Sequence, residues 1–315
     1  MSRLAAALAI LFAPHYLPAS EPQAPAVSFS KTDGSLSVVI GGQTVAEYVF
    51  RDEQILRPYF RHLCTQSGKQ VTRNSPPIKP GDLDDHATMH PGLWLAFGDL
   101  SGADFWRNKG RVLHQQFVGN PQGSAGVGTF SVRNAYVDSG QTICTEDCLV
   151  TFMARPDGYR IDWTSIFGSE RGEIAFGDQE EMGLGVRVAT PLAVVNGGEI
   201  NDSQGRKNGK QVWGQQADWC EYGGVIDGRK IGVVLMPDPK NFRRSWFHAR
   251  DYGLLVANPF GQNAFTKSEK SKVAVPKGDT LRLRFGLLVY DMPANETLQI
   301  DAAYRDFVNA HTTKP

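Results

Sequence analysis

CLVTFMARPDGYRIDWTSIF, residues 148–167, is two apolar arms joined by Pro156-Asp157-Gly158, and its pattern recurs along most of the chain. Val, Ile, Phe, Tyr, Trp and Thr suit a pleated, half-buried surface, and Pro-Asp-Gly lets a chain reverse within a few residues. The stretch predicts an antiparallel hairpin. Upstream, LSVVIGGQTVAEYVF (36–50) turns at Gly41-Gly42, and YFRHLCTQSGKQVTR (59–73) turns at Ser67-Gly68. Downstream, VWGQQADWCEYGGVIDGRKIGVVLM (212–236) turns at Asp227-Gly228, and KVAVPKGDTLRLRFGLLVY (272–290) turns at Lys277-Gly278. Strands this short and this evenly punctuated predict an all-β fold, a large antiparallel β-sandwich. Only the end of the chain has helical spacing: Ile300, Ala303, Tyr304, Phe307 and Val308 predict a short C-terminal helix on the sandwich edge.

The totals narrow the class. Lys plus Arg equals Asp plus Glu at 33 each, so no net charge draws the protein to nucleic acid or an anionic membrane, and a neutral small molecule or glycan is the natural partner. Arg3, the apolar run from Leu4 to Phe12 and Leu17-Pro18-Ala19 have the layout of a signal peptide, with cleavage expected after Ala19. Residues 20–315 are then expected to form one β-sandwich domain in the periplasm or outside the cell. The apolar run is about half the ~20 residues of a spanning helix, so no membrane span is expected. Four cysteines, Cys64, Cys144, Cys148 and Cys220, would reach an oxidising compartment. A local Cys144–Cys148 bond with Cys64 paired to Cys220 is one of three possible pairings.

Three segments concentrate chemistry. DDHATMHPGLWLAFGDLSGADFW (84–106) places His86, His90, Asp85, Trp94 and Trp106 on one loop and strand, delivered by the Pro-rich RNSPPIKPGDLDD (73–85). The i, i+4 histidines would share a face of a helix, but Pro91 and LWLAF indicate a turn entering a strand. A metal there would need a third ligand from Asp85, His114 or His248; the plainer alternative is a histidine that bonds a carboxylate and orders the loop. FGDQEEMGLGVRV (176–188) carries Asp178, Glu180, Glu181 and Arg187. On a strand the two glutamates would face opposite sides, one into a pocket and one to solvent, and Arg187 could bind a substrate carboxylate. SWFHARDYGLLVANPFG (245–261) interleaves Trp246, His248, Arg250, Asp251 and Tyr252, with Trp213 nearby in sequence. Aromatic faces stack on the apolar face of a sugar ring while Arg, Asp and His bind hydroxyls, although the same aromatics also suit a strand core. The chain has no GxSxG elbow, Walker loop or HExxH.

These segments resemble a bacterial family of unknown function catalogued as "methane oxygenase PmoA". The resemblance spans most of the mature chain and is carried, in order, by RPYF (57–60), VTRNSPPIKPGDLDDH (71–86), HPGLWLAFGDLSGADFW (90–106), WGQQADWCEYGG (213–224) and WFHARDYGLLVANPFG (246–261). Many relatives have a DHPHHRGLW type where this chain has DHATMHPGLW, keeping His86 and His90 without the adjacent run. The family name implies a His-ligated metalloprotein. The fold it implies is a mutarotase-like supersandwich, in which histidines act as acids and a carboxylate as base on a sugar ring. The expectation is therefore a carbohydrate-active protein with His86, His90 or His248 as acid, Glu180 or Glu181 as base, and no cofactor. Arg57, Tyr59, Asp85, Trp94, Trp106, Trp213, Trp246, Arg250, Asp251 and Tyr252 are expected to hold the sugar. A non-catalytic glycan-binding protein would use the same tryptophans.

Overall fold

The computed structural model describes residues 24–310, so the expected leader lies outside the described residues. Every strand pairing is antiparallel, as the hairpin pattern predicts. One nine-stranded sheet runs Val27–Lys31, Ser35–Ile40, Gln43–Val49, Tyr59–Arg61, Leu93–Phe97, Met182–Arg187, Leu254–Asn258, Trp246–Arg250, Gln215–Gln216. The second runs Glu199–Asp202, Cys220–Ile226, Arg229–Pro237, Thr280–Pro293, Gly158–Gly168, Gln141–Arg155, Val127–Asp138, Arg111–Phe117, with Gln122–Gly123 paired to Val127–Asp138. Alternate residues of both sheets, among them Leu95, Phe97, Leu184 and Leu255 from the first and Phe152, Trp163, Val233 and Leu287 from the second, meet in one buried core. This is a β-sandwich. Among the described residues no helix is long and apolar enough to cross a membrane.

Three predicted hairpins form as expected, at Gly41-Gly42, Pro156-Asp157-Gly158 and Asp227-Gly228. The other two differ. Only Tyr59–Arg61 is strand in the second, followed by a turn with a single Cys64–Gln70 bridge. In the last, Val273–Val275 pairs with Ile174–Phe176 instead of folding back on Thr280–Pro293, because that long strand already has Gly158–Gly168 on one edge and Arg229–Pro237 on the other. All four cysteines are free thiols. Cys144 and Cys148 sit on one continuous strand, where four residues span about 13 Å, more than twice the ~6 Å that a disulfide bridges.

The C-terminal helix, Ile300–Asn309, lies on the outer face of the second sheet and not at its edge. Its apolar stripe, Ile300, Ala303 and Phe307, covers Val234, Met236, Leu288 and Tyr290. Gly286 leaves room for the Phe307 ring, since a Cβ there would stand 2.8 Å from it. Arg284, held by Asp162 and Asp238 at 3.0 Å each, lies over that ring at 4.0 Å and donates to the Phe307 carbonyl. Phe307→Ala should therefore cost about 3–5 kcal/mol in denaturant unfolding. A loss below about 1 kcal/mol would show that the helix is not part of the cooperative fold.

Candidate functional site

The outer face of the first sheet is where the three predicted segments converge. Leu93, Leu95 and Phe97 turn into the sandwich, so Trp94 and Ala96 turn outward, joined by Leu254, Val256 and Trp106 in a second apolar cluster. Gly185 stands opposite Trp94 in the ladder, and a Cβ there would sit 2.7 Å from the indole; a side chain at that position would displace the ring.

The histidine loop is stacked onto this platform. His90 N–H donates to the His86 carbonyl at 2.9 Å, closing a single turn that lays one imidazole over the other, 4.8 Å apart and 22° from parallel. The column continues on both sides: Tyr252 stacks on His86 at 6.2 Å, Trp94 on His90 at 5.2 Å, and the Trp106 edge closes on both His90 and Trp94. Guanidinium groups lie beyond its ends, Arg187 over Tyr252 at 4.4 Å and Arg57 over Trp94 at 5.9 Å.

Buried arginines fix the loop backbone. Arg73, 1% exposed, donates to the carbonyls of Leu83 (2.8 Å), Asp85 (2.7 Å) and His90 (3.0 Å). Arg57 donates to the carbonyls of Phe105, Trp106 and Met89 and to Asn108 Oδ1. Arg187 grips Asp85 with both Nη atoms, at 3.0 and 2.7 Å. Asp85 in turn accepts from His86 Nδ1 at 2.9 Å. Burial would raise the Asp85 carboxyl, but the Arg187 and His86 hydrogen bonds and the Arg187 and Arg73 charges outweigh it and hold it at about 2.

This environment separates the three histidines. His90 is 4% exposed, and burial first, then the charges of His86, Arg187, Arg57 and Arg73, push it down to about 2. His248 is pushed to about 4 by burial and then by Arg250, against the pull of its hydrogen bond to the Glu180 carbonyl. Both of its nitrogens are committed, Nδ1 to that carbonyl at 3.3 Å and Nε2 as acceptor from Arg250 Nε at 3.0 Å. Burial thus favours the neutral form of both imidazoles. His86 differs: its side chain is 44% exposed, Asp85 fixes its Nδ1, and Nε2 has no hydrogen-bond partner among the described residues.

A cleft of about 550 Å³ opens in front of the column, lined by His86, Met89, His90, Trp106, Arg107, Glu181, His248, Arg250, Tyr252 and Leu254. The two glutamates lie in the loop before Met182–Arg187, so strand alternation does not separate them. Glu181 lines the cleft and pairs with Arg107 at 2.8 Å, while Glu180 stands outside the lining and pairs with Arg250 at 3.1 Å.

Several residues expected to hold a ligand serve the scaffold. Arg57 and Arg187 are buried with their Nη donors engaged, and Tyr59 is buried with its hydroxyl on Asp52 at 2.7 Å beside a different cleft. Trp94 lies wholly behind His90. Asp251 accepts from Gly209 N–H at 2.7 Å, and Trp246 is buried near Phe265. Trp213 backs the Arg250 guanidinium at 5.6 Å. Asp178 caps backbone N–H groups of Asn263, Ala264 and Ser271. A shared metal fits poorly, because the lone pairs of two near-parallel stacked rings do not meet, and His114 packs elsewhere between Phe50 and Phe117. Among the described residues no three His, Cys, Asp or Glu side chains converge as metal ligands. Arg107 and Arg73 were missed in the sequence; the first lies one residue past a quoted motif, and nothing local distinguishes the second.

A sequence model of a family of unknown function, DUF6807, matches residues 35–305. The chain belongs to that family. The family's description gives no activity and does not include the oxygenase name. No curated protein matches this DUF6807 chain in sequence. Among solved structures, a galactose mutarotase-like protein from Lactobacillus casei aligns at 9% identity over 84% of this chain and 100% of its own, with a TM-score of 0.35. A galactose mutarotase-like protein from Clostridium acetobutylicum aligns at 8% identity over 84% and 95%, with a TM-score of 0.32. A 4-alpha-glucanotransferase from Thermococcus litoralis aligns at 8% over 84% and 37%, with a TM-score of 0.30.

The neutral histidines have a consequence for stability. In the unfolded DUF6807 chain His90 and His248 titrate near 6.5, whereas folded they resist protonation to about 2 and about 4. The unfolded state thus takes up protons first on acidification, and stability present above about pH 6.5 is lost as pH falls. The unfolding free energy from denaturant titrations should drop between pH 7 and 4.5 by on the order of 1–2 kcal/mol per pH unit, and the His90→Gln/His248→Gln double variant should flatten the slope. An unchanged slope in that variant would place the acid sensitivity elsewhere.

Proposed function

We propose that this protein acts on a sugar in the cleft on the outer face of the first sheet, with His86 as the proton-transferring group. The observation that carries the reading is that the Asp85-oriented, partly exposed His86 shares one cleft with Glu181, Arg250 and the aromatic ring of Tyr252. Polar groups beside an aromatic face suit a polyhydroxylated ring. Asp85, held ionised by Arg187, accepts the Nδ1 proton and leaves the Nε2 lone pair free to take a proton from substrate. The resulting imidazolium is stabilised by the same carboxylate and can return the proton, while Glu181 supplies the second acid–base group. His90 beneath it stays neutral and sets the ring's position by stacking. Proton transfer of this kind serves an isomerase, lyase or hydrolase. The proposal includes export, for which the leader-like pattern of residues 1–19 is the support.

His86→Ala should remove turnover of any responsive glycan while leaving its binding, and Asp85→Asn should lower kcat by roughly 10²–10⁴-fold with a smaller change in KM. Full turnover by His86→Ala would assign the chemistry to another group. Binding of glycans by the wild type without turnover of any would make this a glycan-binding protein that needs no base.

A further inference from the structure

The charges around the cleft are not equally buried. Arg107 is matched by Glu181 at 2.8 Å and Asp104 at 3.2 Å, and Arg250 by Glu180 at 3.1 Å. Arg73 and Arg187 share the single carboxylate of Asp85, at 3.6 and 2.7 Å. Arg57 bonds only neutral acceptors, three backbone carbonyls and the Asn108 amide oxygen. Asp82 also faces Arg73, so these five guanidinium groups meet five carboxylates, but Arg57, Arg73 and Arg187 are buried whereas all five carboxylates are partly exposed, and the charge left unscreened is positive. Buried charge is poorly screened, so its field reaches into the cleft. After burial and the His86 charge, the same three arginines add to the depressed protonation of His90.

One group at the cleft wall has a free donor to offer. Arg250 is 42% exposed at its side chain, its Nε donates to His248 Nε2 and its Nη2 to Glu180 Oε2, and its Nη1 has no hydrogen-bond partner among the described residues. Trp213 backs the guanidinium at 5.6 Å, so three neighbours orient the fork before any ligand arrives. His248, kept neutral, serves as a positioning residue for that fork.

We propose that the cleft takes an acidic sugar, one carrying a ring-borne oxyanion such as a uronic carboxylate or a sulfate ester, and that Arg250 Nη1 binds the oxyanion. This rests on the sugar reading above and narrows its substrate class. A neutral sugar could meet the same hydroxyl contacts but would leave the unscreened positive charge uncompensated, whereas an oxyanion gains a charge-assisted hydrogen bond in a partly desolvated cleft.

The test is calorimetric binding of full-length mature protein to matched probes: oligogalacturonate and alginate oligosaccharides against their carboxyl-reduced forms, and carrageenan oligosaccharides against their desulfated forms. At least one acidic probe should bind roughly ten- to a hundredfold more tightly than its neutral match, and that pair identifies the oxyanion. Arg250→Met should abolish the difference, Arg250→Lys should retain part of it, and Glu180→Gln, which removes only the competing negative charge, should increase it. Melting temperatures confirm that each variant is folded. Equal binding of an acidic probe and its neutral match, or an acid preference that survives Arg250→Met, overturns the inference and leaves the sugar site standing. Binding of none of the probes overturns the inference, and binding of no sugar of any kind overturns the sugar site with it.

Discussion

The site depends on three buried arginines, Arg57, Arg73 and Arg187, whose Nη donors are spent on the protein itself. A loop carrying Pro76, Pro77 and Pro80 is poorly suited to order its backbone through a sheet ladder, since prolines lack N–H groups. Arg73 supplies the missing donors, gathering the carbonyls of Leu83, Asp85 and His90 onto one guanidinium. Arg57 does the same for Met89, Phe105 and Trp106, tying the histidine loop to the segment that follows the strand Leu93–Phe97. A planar group with five fixed donors can serve several carbonyls at once, which a lysine in the same place cannot do.

That solution sets the electrostatics of everything in front of it. Holding the loop with cations adds positive potential that keeps Asp85 ionised and, on top of burial, disfavours the protonated form of His90, and the burial of His248 behind Arg250 has the same effect on a second imidazole. The column Tyr252–His86–His90–Trp94 then contains one imidazole with an accessible nitrogen and one that is only a platform, although the two are four residues apart and chemically identical. Environment, not residue type, decides which histidine can move a proton.

The sequence made the strand content and three of the hairpins legible because period-two alternation and turn chemistry act over a few residues. It misled where the outcome is set by a distant partner. Val273–Val275 looked like the arm of a hairpin, but whether a strand edge is free depends on segments far away in sequence, and here both edges of Thr280–Pro293 were already taken. A local Cys144–Cys148 bond looked open because the two are only four residues apart, yet Cys144, Glu146 and Cys148 are all buried on one uninterrupted strand. Burial raises the Glu146 carboxyl, and Ser165, Asn134 and Tyr136 satisfy it there.

The same distinction applies at the site. Its location could be read because the three segments are dense in imidazole, carboxylate and indole, but the division of labour within them could not. Arg57 and Arg187 are as well suited on paper as Arg250 and differ in being buried, a property set by which carbonyls and carboxylates need a donor, and Trp94, Trp106 and Trp246 are all buried although their type suits a sugar face. Arg107 and Arg250, each matched to a neighbouring glutamate, stand on opposite sides of that division from Arg57 and Arg73, which are matched to backbone. An arginine bonded only to carbonyls has no counter-charge beside it, whereas one bonded to a carboxylate does. The scaffold therefore contributes field, and the rim contributes donors.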